Sequence, residues 1–510
     1  MIAIRLKNVS LLIQGDLPKE VHDEIRHTLS YYVPGYKFMP LYKQQQEMAR
    51  LGLLKNKKPW DGTKTLATWT ENGLKTPTGL FSYVCEVLDG KNIPYEIADE
   101  RMPTVKTSGW TTNGLLLRDY QKEIYDLSLR RQRGVLKIGT GGGKTEILVK
   151  IIVDAGCFPA IFYVTSCDLL EQAYERFCRY VRKDGIPVKI GRIGAGHCDL
   201  QPITIATVQS CEMALAGKFT KFDEDSPEDN KTELDDSQKH MVAEFVREAQ
   251  FVYCDECQHC SAETIQTIMN NSYKARFRLG GSASPWRDDG LDILIESCFG
   301  RRICDVPSSF LIKNNYLVRP FITFNHFSQM LGPAKTFSAH YKKYIVENEA
   351  RNKFIAQRAL FHMEQGRPTI ILVKWVPHAE ALKKLITGSE IVTASGGSKK
   401  TPKQRNEIFD RMRRRELQCL IGTSLLDEGV DIPSATTGIF AGGGKSSTRA
   451  LQRVGRLIRK DPNCSSKDTA FIEEFNDNTR WLMLHSKQRR KILLTEPEFV
   501  ISDNRETLGL

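Results

Sequence analysis

No stretch of the 510 residues approaches the ~18 consecutive apolar residues of a membrane-spanning helix. The N-terminal segment MIAIRLKNVSLLIQGDLPK alternates apolar and polar residues and has no uninterrupted signal-peptide core. No short-period repeat of the solenoid kind is present. Acidic residues are in deficit, 61 Asp and Glu against 73 Lys and Arg, a formal net charge of +12. That surplus suits a polyanionic partner, either nucleic acid or an anionic membrane. With no membrane segment in view, nucleic acid is the stronger expectation. Cysteine is not scarce, but its 13 residues are odd in number, scattered, and mostly set in apolar segments such as those around Cys85, Cys157 and Cys167. Without an export signal they are expected as reduced thiols in a cytoplasmic protein.

Hydrophobic residues make up 41% and charged residues 26%, which excludes disorder as the main state as well as a fibrous fold. The length suggests about three domains, each able to bury its own core. Residues 1–107 form a first unit, with an alternating strand-like segment from Ile2 to Leu12 and a helix from Lys19 to Leu29. An irregular stretch rich in Lys, Gln, Gly and Pro follows. The turn-rich Met102 to Gly114 reads as a linker. Over 108–318 short apolar runs (Val135–Ile138, Ala160–Val164, Ile203–Ala206, Phe251–Cys254) alternate with helical segments, the pattern of a parallel sheet. The same rhythm restarts over 319–510, with strands at Thr369–Val373, Glu390–Val392, Cys419–Thr423, Gly438–Ala441 and Ala470–Ile472. The expected class is α/β, with two tandem parallel-sheet lobes behind a small α/β N-terminal domain. The acidic segment 223–236 stands out from this background and reads as a solvated insertion.

The strongest local signal is Val135-Leu-Lys-Ile-Gly-Thr-Gly-Gly-Gly-Lys-Thr145, where an apolar strand enters a glycine-rich turn ahead of a helical run. Glycines let backbone N–H groups converge on phosphate oxygens, and the positive end of the following helix points at the same place. Thr140, Gly141, Gly142 and Gly143 form this cradle. Lys144 reaches the terminal phosphates, and the Thr145 hydroxyl serves a magnesium ion. The strict motif wants glycine where Ile138 stands, so only its relaxed form is intact. A second string, Gly442-Gly-Gly-Lys445-Ser446, also follows a strand but has no acidic pair after it, so it is expected to be a structural or coupling loop.

Phe251-Val-Tyr-Cys-Asp255-Glu256 places two carboxylates at the end of an apolar strand, where α/β sheets face their ligands. Asp255 would hold magnesium through water, and Glu256 would orient and deprotonate the attacking water. Cys254, Cys257, His259 and Cys260 have a spacing that suggests zinc. No second ligand pair is evident, and packed thiols are expected instead.

Together these segments resemble the superfamily 2 helicases, with motifs in the family's order over about 120–460. Leu117-Arg-Asp-Tyr-Gln121 resembles the upstream glutamine motif, which implies that Gln121 reads adenine. Phe162-Tyr-Val-Thr165-Ser166 and Ala206-Thr207-Val-Gln209-Ser210 resemble segments that touch the nucleic-acid backbone. Gly281-Ser282-Ala283-Ser284-Pro285 resembles the coupling motif, with serines for threonines. Gln258 stands where the acidic motif often ends in His. Gly422-Thr423-Ser-Leu-Leu-Asp-Glu-Gly429-Val-Asp431-Ile-Pro433 is similar to the motif linking both substrates, which implies that Thr423 contacts nucleic acid and that Gly429 and Asp431 contact nucleotide. Gln452-Arg453-Val-Gly455-Arg456-Leu-Ile-Arg459 is similar to the arginine-finger helix. The resemblance implies two RecA-like lobes with ATP and Mg2+ between them, and catalysis by Lys144, Asp255, Glu256, Gln452, Arg456 and Arg459. Three apart, the two arginines are expected on one helix face.

Gly35-Tyr-Lys-Phe-Met-Pro40, Trp60-Asp61-Gly62 and Gly73-Leu-Lys-Thr-Pro77-Thr-Gly79-Leu80 resemble the N-terminal domain of the phage UvsW helicases. That resemblance implies a cytoplasmic, monomeric motor on branched or duplex DNA, acting in replication, recombination and repair and removing RNA from R-loops. Lys55, Lys57, Lys58 and Lys64 can neutralise phosphates, and Trp60 can stack on an unpaired base. Two other readings stay open at this level. One is an RNA helicase, because the motor motifs grip backbones. The other is an ATP-switched binding protein without motor activity.

Overall fold

The computed structural model describes residues 1–504 apart from 55–57, 218–233, 261, 284–290, 330, 333, 394–401, 424–431, 445–446, 462–463, 465–466 and 480. The chain folds as two compact units. Of the described residues, the first unit holds Met1–Lys137 and the chain from Thr145 to Cys304, and the second holds Ile138–Lys144 and the chain from Asp305 onward.

The first unit contains two main layers. Its N-terminal sheet has the strand order Thr68–Thr70, Gly73–Pro77, Ser10–Gln14, Ile2–Leu6, Tyr95–Asp99. Ile2, Ile4 and Leu6 alternate inward, as do Leu11 and Ile13 on the next strand, and their faces meet helices Lys19–Thr28 and Phe81–Gly90 in a common core. The continuous strand expected from Ile2 to Leu12 is in fact a hairpin. It breaks at residues 7–9, where the Lys7 N–H donates to the Ser10 carbonyl (3.0 Å). The irregular stretch holds a helix, Pro40–Arg50, whose half-buried face runs through Tyr42, Gln45, Gln46 and Ala49, so two glutamines interrupt its apolar stripe. The linker reading of 102–114 also fails in part. Trp110–Thr112 pairs antiparallel with Val181–Lys183, anchored by the Trp110 ring against Phe158 (centroids 4.5 Å apart).

The larger sheet of this unit has eight strands, in the order His197–Asp199, Gly191–Gly194, Ile203–Thr207, Ala160–Val164, Phe251–Asp255, Phe277–Ser282, Arg133–Ile138, Arg302–Val306. All neighbours from Gly191–Gly194 to Arg133–Ile138 run parallel, and the central strands are apolar throughout because helices cover both faces. The second unit is built on a seven-stranded sheet in which every pairing is parallel, in the order Ser389–Val392, Cys419–Gly422, Thr369–Leu372, Thr437–Ile439, Thr469–Asp477, Arg319–Phe327, Val500–Asn504. Its buried charge is paired: the Arg351 guanidinium donates to Asp477 at 2.7 and 3.2 Å. Among the described residues no helix is long and apolar enough to cross a membrane.

Within the first unit the N-terminal layer is mounted on helix Asp292–Phe299. Gly79 lies against the backbone of Glu296 and Ser297, Tyr83 donates to the Glu296 carboxylate, and the Arg301 guanidinium stacks 3.9 Å from the Tyr83 ring centroid. Asn8 bridges the same layers, donating to the Tyr273 carbonyl (3.0 Å) and accepting from Arg133 (2.6 Å). An added Cβ at Gly79 would overlap the Glu296 carbonyl oxygen. Gly79→Val is therefore expected to destabilise the docked N-terminal layer by about 1–3 kcal/mol. Limited proteolysis should then release the first hundred residues from the variant sooner than from the parent chain.

Candidate active site

Strand register brings the expected catalytic loops to one edge. Asp255 pairs with Gly281, Gly281 with Leu136, and Ser282 with Lys137. The three parallel strands thus end nearly level, and the loops after Ile138, Asp255 and Ser282 leave together at the carboxyl edge, where such sheets hold ligands.

The loop after Ile138 turns through left-handed backbone at Gly141 (φ 84°) and Gly143 (φ 77°), which side-chain-bearing residues rarely adopt. The Gly142 N–H donates to the Gly139 carbonyl (2.9 Å), and the Gly139 N–H to the Val306 carbonyl (2.8 Å). Helix Lys144–Ala155 then begins, fixed by buried Ile147, Leu148, Ile151 and Ile152, so its positive end lies at the glycine turn. Lys144 and Thr145 are both partly exposed there. The glycine turn also meets the arginine segment, and both parts belong to the second unit. A Cβ at Gly141 would come 3.3 Å from the Arg459 side chain, and one at Gly455 would overlap Thr140.

Helix Ser447–Leu457 carries buried Gln452 and partly exposed Arg456. It ends before Arg459, which corrects the expectation that both arginines share one helix face. Arg459 forms a bridge with Leu317, and the Ile458 carbonyl accepts from the Val318 N–H (2.8 Å). That strand-like pairing removes residues 458 and 459 from the helix, and Pro462 in the sequence biases Asp461 against extending it. Arg459 nevertheless arrives beside the glycine turn.

The acidic pair is held by its neighbours. The Tyr253 hydroxyl donates to Asp255 Oδ1 (2.9 Å). Burial, reinforced by the Asp255 carboxylate, pushes the Tyr253 phenol well above its usual range, so it remains a donor. Glu256 sits in left-handed backbone (φ 47°), a conformation that costs energy in a residue with a Cβ. Its Oε2 accepts from Gln258 Nε2 (2.7 Å) and from Ser282 Oγ (3.2 Å). The glutamine in place of histidine therefore still donates, and the serine expected to couple reaches the Glu256 carboxylate directly. Two contributors escaped the sequence reading. Tyr253 lies two residues before Asp255, on the same strand face. Gly281 leaves room for the Tyr253 hydroxyl, which an added Cβ would overlap. Strand periodicity could have found the first; the second shows only in three dimensions. The oxygen donors of Thr145 and Asp255 are the kind Mg2+ prefers, and the glycine backbone offers N–H groups to phosphate, so the residues fit Mg-ATP.

The neighbouring cysteines pack as thiols. Cys254, Cys257 and Cys260 are all buried, with the Cys254 and Cys260 sulfurs 3.6 Å apart. That contact, together with burial, pushes the Cys254 thiol well above its usual range. No cluster of three metal-binding side chains occurs among the described residues.

The remaining expected residues have varied environments. Gln121 is buried, and its Oε1 accepts from the Arg118 N–H (2.9 Å) at the start of helix Asp119–Arg131. Ser166 caps helix Cys167–Tyr180 (3.3 Å from the Leu169 N–H). Thr207 is buried, caps helix Val208–Ala216 and donates to Ser210 Oγ (2.8 Å). Gln209 is also buried and donates to the Thr165 carbonyl (2.7 Å), tying together the two segments expected to meet a nucleic-acid backbone. Here Thr207 and Gln209 shape the loops, while Thr165 and Ser166 stay partly exposed. Thr423 is buried just after strand Cys419–Gly422. The second glycine string is held by its carbonyls: Gly442 accepts from Tyr341 (2.7 Å), Gly443 from Arg453 (3.2 Å) and Gly444 from Arg489 (2.6 Å), as a structural loop would be. Trp60 is held by its neighbours. It is partly buried, and its indole N–H donates to the Thr63 carbonyl (2.5 Å) because Tyr36 and Tyr42 pack edge-on against it. Lys58 is exposed. Ser284, Gly429, Asp431, Lys55, Lys57, Lys445 and Ser446 lie outside the described residues, as does the acidic segment up to residue 233; Asp235 beyond it caps helix Asp236–Glu248.

Comparison with known proteins agrees with this layout. Residues 114–287 match the family described as type III restriction enzyme, res subunit, and residues 352–461 match the helicase conserved C-terminal domain. A putative helicase 22 of Sulfolobus islandicus filamentous virus is 25% identical over 65% of this chain, a match spanning 58% of the viral protein. The DNA 3'-5' translocase XPB2 of Sulfurisphaera tokodaii is 25% identical over 73% of this chain and 84% of its own length. Among solved structures, a putative HsdR subunit of a type I restriction enzyme from Vibrio vulnificus shares the fold, with a TM-score of 0.53 and 16% identity over 92% of this chain and 83% of that one. Two family matches in this order, on two largely parallel sheets of which the first brings the glycine turn and the acidic pair to one edge, place the chain among the superfamily 2 helicases.

Proposed function

We propose that the chain is an ATP-driven motor that moves on DNA and remodels branched duplexes. It would migrate Holliday junctions, regress forks and remove RNA from R-loops in replication, recombination and repair. The observation that carries the motor reading is the shared carboxylate of Glu256. It accepts from Ser282, so the group that handles the attacking water is bonded to the strand end from which the coupling motif continues. The net charge of +12 and the DNA translocase among the relatives support DNA as the track. The N-terminal motifs resembling the UvsW type support a branched substrate, a monomeric enzyme and a cytoplasmic setting, that of the host cell for a phage protein.

When bound, Mg-ATP supplies the transferable phosphoryl group and a cation that neutralises its charge. Gln121, fixed by its bond to Arg118, orients the adenine. The backbone of Gly141–Gly143 and Lys144 hold the phosphates, and Thr145 and Asp255 hold the cation. Glu256 takes the proton of the attacking water while Gln258 and Ser282 fix its second oxygen. Arg456 and Arg459 offset charge on the transferring group, an effect worth ~10³–10⁵ in rate in related enzymes. Thr165, Ser166 and Lys58 offer hydroxyl and ammonium groups to a phosphate backbone.

Hydrolysis of Mg-ATP should be measured without nucleic acid and with single-stranded DNA, duplex DNA, a four-way junction and RNA. The junction is expected to stimulate most, and Lys144→Ala and Glu256→Gln should each lower kcat by about 10²–10³-fold. Stimulation by RNA alone would overturn the DNA reading, and unstimulated hydrolysis throughout would overturn the motor. Gly455→Ala gives a sharper geometric test. The added methyl must push the arginine segment from Thr140, and displacement of that order costs about 10²-fold in kcat. Nucleotide affinity, measured by titration with a fluorescent ATP analogue, should change little.

A further inference from the structure

One surface of the first unit has no part in the nucleotide site. The short turn Tyr36–Phe38 leads into helix Pro40–Arg50, and neither element has a buried residue. At this corner Phe38 is 80% exposed, Leu41 51% and Tyr32 61%, with Met39 between them also exposed. Single apolar residues on a surface are ordinary, but a phenylalanine, a methionine and a leucine presented together at a turn form a patch. The patch is firmly mounted. The Tyr36 ring stacks on Tyr32 (5.7 Å), meets Tyr42 edge-on (5.1 Å) and lies over Gly62, where a Cβ would overlap it. Trp60 closes the cluster from behind, anchored by its own N–H and by the backbone bond from Trp60 N to Gln45 Oε1 (2.6 Å). Asp61, held well ionised by hydrogen bonds from the Thr63 hydroxyl (2.6 Å) and N–H (2.9 Å), fixes the turn that brings Gly62 under Tyr36.

Cations outnumber anions in this segment, where Glu47 and the ionised Asp61 are the acidic residues. Over residues 30–60 the sequence carries Lys37, Lys43, Arg50, Lys55, Lys57 and Lys58 against Glu47 alone. Lys37, Lys43, Arg50 and Lys58 are exposed. An exposed apolar tip on a segment rich in exposed cations matches a ligand with flat apolar faces on a polyanionic backbone, and unpaired nucleotides have that chemistry. A purely apolar partner would leave those cations unmatched. Apolar side chains that enter base steps commonly separate them.

We propose that Phe38 and Leu41 form a wedge that takes unpaired bases at a DNA branch point. Tyr32 adds a stacking surface, and Lys37, Lys43 and Lys58 hold the flanking phosphates. The tyrosine–tryptophan cluster behind them positions the wedge and does not itself stack on DNA. This rests on the reading of the chain as a DNA motor and names the part that meets the fork.

The test uses the full chain and a forked duplex carrying 2-aminopurine at the first paired position. Binding of the parent chain is expected to raise the 2-aminopurine fluorescence as that base unstacks. Phe38→Ala with Leu41→Ala should abolish the rise and weaken fork binding about tenfold, the order lost when one stacked base loses its aromatic partner. Hydrolysis stimulated by plain duplex should be unchanged, and Phe38→Trp should keep the signal. Both positions are exposed, so the substitutions leave the core intact. An undiminished fluorescence rise in the double variant would overturn the wedge, as would a variant whose sole defect is loss of self-association in sedimentation. The fluorescence readout needs no ATP. A parent chain whose hydrolysis no DNA stimulates would therefore overturn the motor reading separately from the wedge.

Discussion

The Glu256 carboxylate accepts hydrogen bonds from Gln258 at 2.7 Å and from Ser282 at 3.2 Å, and much of the first unit serves to keep it there. Register does the coarse placement: Asp255 opposes Gly281 across adjacent parallel strands, so the acidic pair and the serine emerge together. The left-handed turn at Glu256 does the fine placement, swinging the carboxylate toward Ser282 at a cost in backbone strain. Tyr253 restrains the neighbouring Asp255 from within the same strand, and it fits because Gly281 has no side chain. In the proposed motor, a signal from the γ-phosphate would start at Glu256, which is already bonded to Ser282.

Close approach is the corresponding constraint in the second unit. The glycine turn and the arginine segment come so near that Gly455 has no room for a methyl against Thr140. Glycine there serves contact more than turn geometry, since Gly455 lies within a helix where alanine would otherwise be the better former. Arg459 reaches the same place from outside the helix, through its bridge to Leu317. The two arginines thus stand on differently ordered backbone, with Arg459 beside the glycine turn.

The sequence was most legible where a strand runs straight into chemistry. Ala160–Val164 was read with its true limits, and the glycine turn and acidic pair follow apolar runs whose burial leaves no ambiguity of face. Reading failed where secondary structure lacks a buried stripe. Helix Pro40–Arg50 is hard to see because Gln45 and Gln46 interrupt its half-buried stripe. In the hairpin at Ile2–Gln14 the alternation shifts phase across the turn, from Ile2, Ile4 and Leu6 to Leu11 and Ile13, and a reading of one strand passes over that shift. Trp60 was ambiguous from composition alone, and only its packing against Tyr36 and Tyr42 assigns it to support. The shared helix face of Arg456 and Arg459 was a sound inference from spacing, undone by a backbone pairing with Leu317 and Val318, more than a hundred residues away in the chain.

The central claim is that hydrolysis drives movement through the bond between Glu256 and Ser282. The most direct measurement is ATP-dependent displacement of a third strand from a DNA triplex, set against ATP consumed, for the parent chain and for Ser282→Ala. The parent chain should displace the strand. The variant should hydrolyse ATP within a few-fold of the parent (one neutral hydrogen bond is worth about 1 kcal/mol) yet displace far less strand per ATP. Equal displacement per ATP in both proteins, or no displacement by a parent chain that hydrolyses ATP, would contradict the account.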